Sequence, residues 1–121
     1  MANLLLVDDE PELLDVITEV LRRSGHEVHA CASGLEARAR IAGPATLDLA
    51  IIDWSLPDVG GRDLMLDLQA RQPQARIIVA TGHGESVVSS NLAQGAVAAV
   101  LRKPFRMRDL VTLIDRTLSA S

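Results

Sequence analysis

Short apolar runs in this 121-residue chain end, one after another, on residues that can do chemistry. Asp8 and Asp9 follow Leu4 to Val7, Asp53 closes the run Leu47 to Ile52, Thr81 follows Ile77 to Ala80, and Lys103 comes just after Val97 to Leu101. Three carboxylates brought together repel one another unless a cation offsets their charge, and hard oxygen donors suit Mg²⁺ or Mn²⁺. Beside such an ion, Asp53 is a carboxylate that can attack a phosphoryl group and form an aspartyl phosphate. Thr81 would donate its hydroxyl to one of the transferred oxygens, and Lys103 would supply an ammonium. The chain uses arginine eleven times and lysine once, so a compact point charge appears at Lys103 against a strong bias toward the planar guanidinium.

These residues must be positioned by a repeating β-then-α rhythm. The first strand, Leu4 to Val7, is followed by a helix opening at Glu10-Pro11, with Leu13, Leu14, Ile17, Val20 and Leu21 on one face and Gly25 as its stop. A strand over Glu27 to Cys31 leads to Ser33-Gly34-Leu35-Glu36, a capping-box pattern for a helix running to Ala42, after which Gly43-Pro44 breaks the chain. Leu47 to Ile52 is apolar apart from Asp48, as expected of a central parallel strand covered on both faces. A helix through Leu64, Met65 and Leu68 ends near Gln72-Pro73, before the strand Ile77 to Ala80. Glu85 to Gln94 reads as a weaker helix, Val97 to Leu101 as the fifth strand, and Arg106 to Ser119 as the last helix, with Met107, Leu110, Val111, Ile114 and Leu118 on its stripe. Parallel strands need crossover connections, so the expectation is one doubly wound α/β domain over residues 1–121, a five-stranded parallel sheet with helices on both faces. Ligands of such sheets bind beyond the carboxyl ends of the strands, where these polar residues fall.

Composition removes several function classes. A formal net charge of -4 argues against direct binding to nucleic acid. With Trp54 and Phe105 the only aromatic residues, stacking platforms for bases or sugars are hard to build. No stretch has the length and apolarity of a membrane span or a signal peptide, and the lone Cys31 has no partner for an internal disulfide, which together point to the cytoplasm. Cys31 itself reads as a small buried apolar residue.

Leu5-Leu6-Val7-Asp8-Asp9-Glu10, Asp53 with Leu56-Pro57-Asp58 and Gly61, Thr81-Gly82, and Lys103-Pro104-Phe105 occur in this order at the ends of the expected strands. Taken together they resemble the response-regulator receiver domains of bacterial two-component signalling, over essentially the whole chain. The resemblance implies a flavodoxin-like sheet of strand order 2-1-3-4-5, Asp53 as phosphoacceptor, and Asp8, Asp9, Asp53 and the backbone carbonyl of Ser55 as ligands of Mg²⁺ or Mn²⁺. It implies Thr81 and Lys103 as the phosphoryl-sensing pair, with a cis Lys103-Pro104 peptide. It also implies a sensor histidine kinase or histidine phosphotransfer protein as donor, an output partner or effector domain, and a homodimer formed through the Glu85–Gln94 helix, the fifth strand and the last helix. Such a chain catalyses only its own phosphorylation and dephosphorylation.

One position departs from the family pattern. Receivers carry a Tyr or Phe three residues before the lysine, and here that residue is Val100. A stiff β-branched side chain has no ring to swing toward a shifted threonine, so the coupling from the site to the surface is expected to run through the backbone. Trp54, Gly82 and His83 each lie beside a site residue and are candidate modulators of access or hydrolysis, against the plainer reading of an exposed Trp and an exposed loop histidine.

Plainer readings exist for the principal residues too. Acids after strands favour helix N-termini, Thr81 would serve as a strand-end hydroxyl and Lys103 as a surface charge, but none of these accounts for all of them together. An aspartate-nucleophile phosphatase would need a second acid two residues after Asp53, where the chain has Ser55. A degenerate receiver that only binds partners would have lost an acid, the threonine or the lysine. A flavodoxin-type nucleotide binder would show a Gly-rich loop after the first strand.

Overall fold

The computed structural model describes residues 2–82 and 97–119. Its elements run β1 (Asn3–Val7), α1 (Pro11–Arg23), β2 (Glu27–Cys31), α2 (Gly34–Ile41), β3 (Leu49–Asp53), α3 (Gly61–Arg71), β4 (Arg76–Thr81), β5 (Ala99–Arg102) and α4 (Met107–Ser119). The five strands form one parallel sheet in the order β2-β1-β3-β4-β5. The helix expected over Glu85 to Gln94 falls outside the described residues.

Local chemistry accounts for the helix ends. Glu10 is the extended N-cap of α1, Pro11 takes the first turn where a missing N–H costs nothing, and Gly25 ends the connection at φ 93°, which only glycine adopts cheaply. In α2 the Ser33 hydroxyl accepts from Glu36 N at 3.2 Å, while the Glu36 carboxylate accepts from Ala32 N at 2.6 Å, one residue further back than in a simple capping box.

Side chains alternate across the sheet and supply two cores. Leu5, Val7, Ala50, Ile52, Ile77 and Val79 pack under α2 and α3 with Ala37, Ile41, Leu64, Met65 and Leu68. Leu4, Leu6, Leu49, Ile51, Ile78 and Leu101 pack under α1 and α4 with Leu14, Ile17, Leu21, Leu110 and Ile114. β3 is buried at all five positions, as its unbroken apolar run requires of a central strand.

The starts of β3 and β5 each lie two residues later than the sequence expectation. Before β3, Leu47 N donates to the Gln72 side chain at 3.2 Å instead of to a neighbouring strand, while Asp48 already bonds β1 and β4, its N–H donating to Asn3 O at 2.8 Å and its carbonyl accepting from Arg76 N at 3.0 Å. β5 begins at Ala99 rather than Val97, although Ala98 N already donates to Ile77 O at 2.8 Å.

Gln72 is the buried polar anchor of this lower edge. Its amide nitrogen donates to Ile41 O and Ala45 O at 3.3 and 3.0 Å, and its oxygen accepts from Leu47 N and Gln74 Nε2. It thereby holds the loop that feeds β3 toward the site. Gln72→Leu strands these backbone groups without partners, so we expect a loss of about 2–4 kcal/mol. Urea unfolding measures it, and an unchanged midpoint would remove Gln72 from this role.

Candidate functional site at the carboxyl edge of the sheet

Parallel register brings the candidate residues together. Val7 lies opposite Ile52, so Asp8 and Asp53 leave adjacent strands side by side. Asp53 lies opposite Ala80 and Thr81 opposite Arg102, which puts Thr81 and then Lys103 one step further along each neighbouring strand. The ladder continues past the strand ends through Asp8 N to Cys31 O at 3.1 Å, Trp54 N to Ala80 O at 2.9 Å and Lys103 N to Thr81 O at 2.8 Å.

Asp8 and Asp53 are 3% and 4% exposed, whereas Asp9 is open to solvent. One carboxylate oxygen from each of the three lies within 4.8 Å of the others. The Lys103 ammonium stands among the acids, 3.0 Å from Asp8 Oδ2, 3.4 Å from Asp53 Oδ2 and 3.3 Å from Glu10 Oε1. The remaining oxygens of the buried pair accept from the backbone, Asp8 Oδ1 from Glu10 N at 2.9 Å and Asp53 Oδ1 from Ser55 N at 3.0 Å. Burial by itself would lower the pKa of Lys103, but the hydrogen bond to Asp8 and the charges of Asp53 and Asp8 outweigh it and hold the ammonium above its usual range. It is a fixed positive charge at neutral pH. Thr81 is buried at the end of β4, Gly82 is exposed, and the Lys103-Pro104 peptide is cis. His83 lies outside the described residues.

Three all-oxygen donors gathered at one point fit a hard divalent cation, and the backbone of Ser55 is directed by its bond to Asp53. Beside the acids, a groove of about 420 Å³ is lined by Glu10, Leu13, Lys103, Pro104 and Phe105.

The loop after Asp53 is tied at two points. Trp54, half-buried, lies over Gly61 so closely that a Cβ there would come within 2.6 Å of the indole. At the other point, a Cβ on Gly34 would meet Val59 at 2.5 Å, and the Asp58 carboxylate accepts from Gly34 N and Leu35 N at 3.0 Å each. Two N–H groups of the first turn of α2 are therefore satisfied by a residue more than twenty positions away, while Ser33 serves Glu36 N.

Sequence reasoning took Glu10 only as an acid favouring a helix start and gave Asp58 no role. The signal for Glu10 was its place directly after two candidate ligands. For Asp58 there was none, because its partners come from another β/α unit. Val100 is half-buried against the α2 and α3 side of the sheet, on the core shared by Ile52 and Val79. Cys31 is buried, and desolvation followed by the charge of Glu36 pushes its thiol up to about 11, as expected of an inert core thiol.

A family model described as the response regulator receiver domain matches residues 4–115. The chain belongs to the response-regulator receiver domain family. This receiver is 33% identical to transcriptional regulatory protein GlrR of Escherichia coli over 99% of its own length and 27% of that protein's. It thus spans about a quarter of the length of the curated relatives that match it first. A CheY-like receiver domain protein of Methanospirillum hungatei superposes with a TM-score of 0.90 at 30% identity, covering 98% of this chain and 94% of that one. Response regulator protein TrrA of Thermotoga maritima, solved in complex with Mg²⁺-BeF, gives 0.79 at 27% identity, covering 97% and 99%. The expected strand order is borne out, and so is membership of a family of phosphoacceptor switches. No helix among the described residues is long and apolar enough to cross a membrane.

The Asp58 tie has a pH signature. Hydrogen bonds from Gly34 N and Leu35 N favour the ionised carboxylate and lower its pKa from the ordinary 3.8. The folded-state value is the depressed one, so the stabilisation is complete above the ordinary carboxylate range and is lost as pH falls through the lowered value. Amide shifts of Gly34 and Leu35 in an acid titration should report that loss, and Asp58→Asn should remove it. The same midpoint in the Asn variant would assign the transition to another group.

Proposed function

We propose that this receiver accepts a phosphoryl group on Asp53 from the phosphohistidine of a sensor kinase or phosphotransfer protein in the cytoplasm, with Mg²⁺ or Mn²⁺ held by Asp8, Asp9, Asp53 and the Ser55 carbonyl. The observation that carries this reading is the gathering of three carboxylates within 4.8 Å with the Lys103 ammonium against the two buried ones. A bound divalent ion would offset charge on the phosphoryl oxygens. The complex of TrrA with Mg²⁺-BeF, a mimic of a phosphoryl group, supports the same use of the site in a relative.

Each residue then has a task. The Ser55 amide holds one oxygen of Asp53 and so orients the carboxylate. An Asp53 oxygen attacks phosphorus, the P–N bond of the donor breaks, and the imidazole leaves along the groove lined by Leu13, Pro104 and Phe105. Lys103 and Thr81 turn to the new phosphoryl oxygens and make charge-assisted hydrogen bonds. Trp54, packed on Gly61, borders the site from the α3 side, and Gly82 follows Thr81 at the end of β4; the proposed role of His83 concerns a residue outside those described. The receiver catalyses only this transfer and the later hydrolysis.

The switch is then read at the surface. Movement of Thr81 and Lys103 displaces the ends of β4 and β5 and remodels the face around β5 and α4, where an output partner or a second copy docks. With Val100 in place of an aromatic ring, the displacement is carried by the backbone.

Acetyl phosphate with Mg²⁺ should add one phosphoryl group to the purified chain, and Asp53→Asn should take none, by mass spectrometry under mild conditions. Equal labelling of the Asn variant would refute Asp53 as acceptor. Lys103→Arg keeps the charge but not the ammonium's geometry, so it should be phosphorylated slowly and should not reproduce the parental amide shifts. Full parental shifts would exclude Lys103 as a sensor.

A further inference from the structure

We propose that Glu10 is a positioning residue for Lys103, holding its ammonium while a divalent cation occupies Asp8, Asp9 and Asp53. The inference rests on the metal-dependent phosphoacceptor reading above and assigns a role to a fourth carboxylate.

Lys103 has three N–H donors and faces three carboxylates, Asp8 at 3.0 Å, Glu10 at 3.3 Å and Asp53 at 3.4 Å. The second oxygen of each buried acid is already taken by a backbone amide, so the ammonium lies on the Oδ2 atoms that remain. A divalent cation held by the same carboxylates would bring a second positive centre close to the ammonium, and the two would repel at short range. The ammonium must give way. If it moved into water, the lysine would have to be ordered again when the phosphoryl group arrives.

Glu10 removes that problem by its placement. Among the described residues it is the one acidic partner of Lys103 outside the three-acid group, and its side chain is 64% exposed, so it can follow the ammonium without leaving a buried vacancy. Its backbone is held, with the amide on Asp8 Oδ1 and the residue serving as N-cap of α1. Negative charge is favoured there by the helix dipole. The result is a hand-over: Lys103 neutralises the acids before the cation binds, rests on Glu10 while it is bound, and passes to the phosphoryl oxygens afterwards.

The test is a double-mutant cycle on Mg²⁺ affinity, read by calorimetry, with Glu10→Gln, Lys103→Met and the double variant. Glu10→Gln should weaken Mg²⁺ binding about three- to tenfold when Lys103 is present and by less than about twofold in the Lys103→Met background. An equal loss in both backgrounds would show that Glu10 acts only through its negative field and would overturn the hand-over. Because Lys103 is the only lysine, selective lysine labelling yields one set of side-chain signals, which needs no second variant. In the Mg²⁺-bound parent these signals should stay distinct from those of a solvated lysine and should collapse to solvated values in Glu10→Gln. Identical lysine signals in the two proteins would overturn the proposal. A parent that bound no Mg²⁺ would overturn the metal-site reading itself, and the hand-over with it.

Discussion

The Lys103 ammonium, shared among Asp8, Asp53 and Glu10, is the interaction on which the site depends. Asp8 and Asp53 leave adjacent strands almost fully buried, and desolvating even one carboxylate costs several kcal/mol if nothing opposes it. Two together would repel as well. The lysine provides a counter-charge to both, and its own charge is secured by the same contacts. The arrangement suits the proposed exchange of cations: whatever replaces the ammonium would meet carboxylates that are already oriented by backbone amides.

The parts of the site are held with unequal firmness. Behind Asp53, packing without slack fixes the loop, with Trp54 on Gly61, Val59 on Gly34 and Asp58 on the first turn of α2. Around Lys103 the restraints are charge contacts from one long side chain whose partners differ widely in exposure. Interlocked side chains resist displacement because every shift opens a void or makes a clash. Charge contacts can be traded for others of equal strength. The proposed phosphoacceptor switch would need both, a rigid nucleophile and a sensor able to change partners.

Strand composition carried most of the fold into the sequence. Five apolar runs separated by helical stripes, with Gly25, Gly43-Pro44 and Pro73 as breaks, specify a parallel doubly wound sheet, since only crossover helices join strands in parallel. At the start of β3 the expectation missed because of a long-range hydrogen bond. Leu47 looks like a strand residue by composition, but its N–H is claimed by the Gln72 side chain before β3 starts.

By itself the sequence determined which groups meet at the carboxyl edge, because a parallel sheet places the residue after each strand there whatever the details of packing. Asp8, Asp9, Asp53, Thr81 and Lys103 were therefore legible as a set. Tertiary structure alone decided how they are shared out: that Lys103 bridges two buried acids and one exposed one, that Glu10 joins them, and that Asp58 serves a helix in another β/α unit. These choices depend on distances of about 3 Å between residues as much as 95 positions apart, and periodicity along the chain carries no information on that scale.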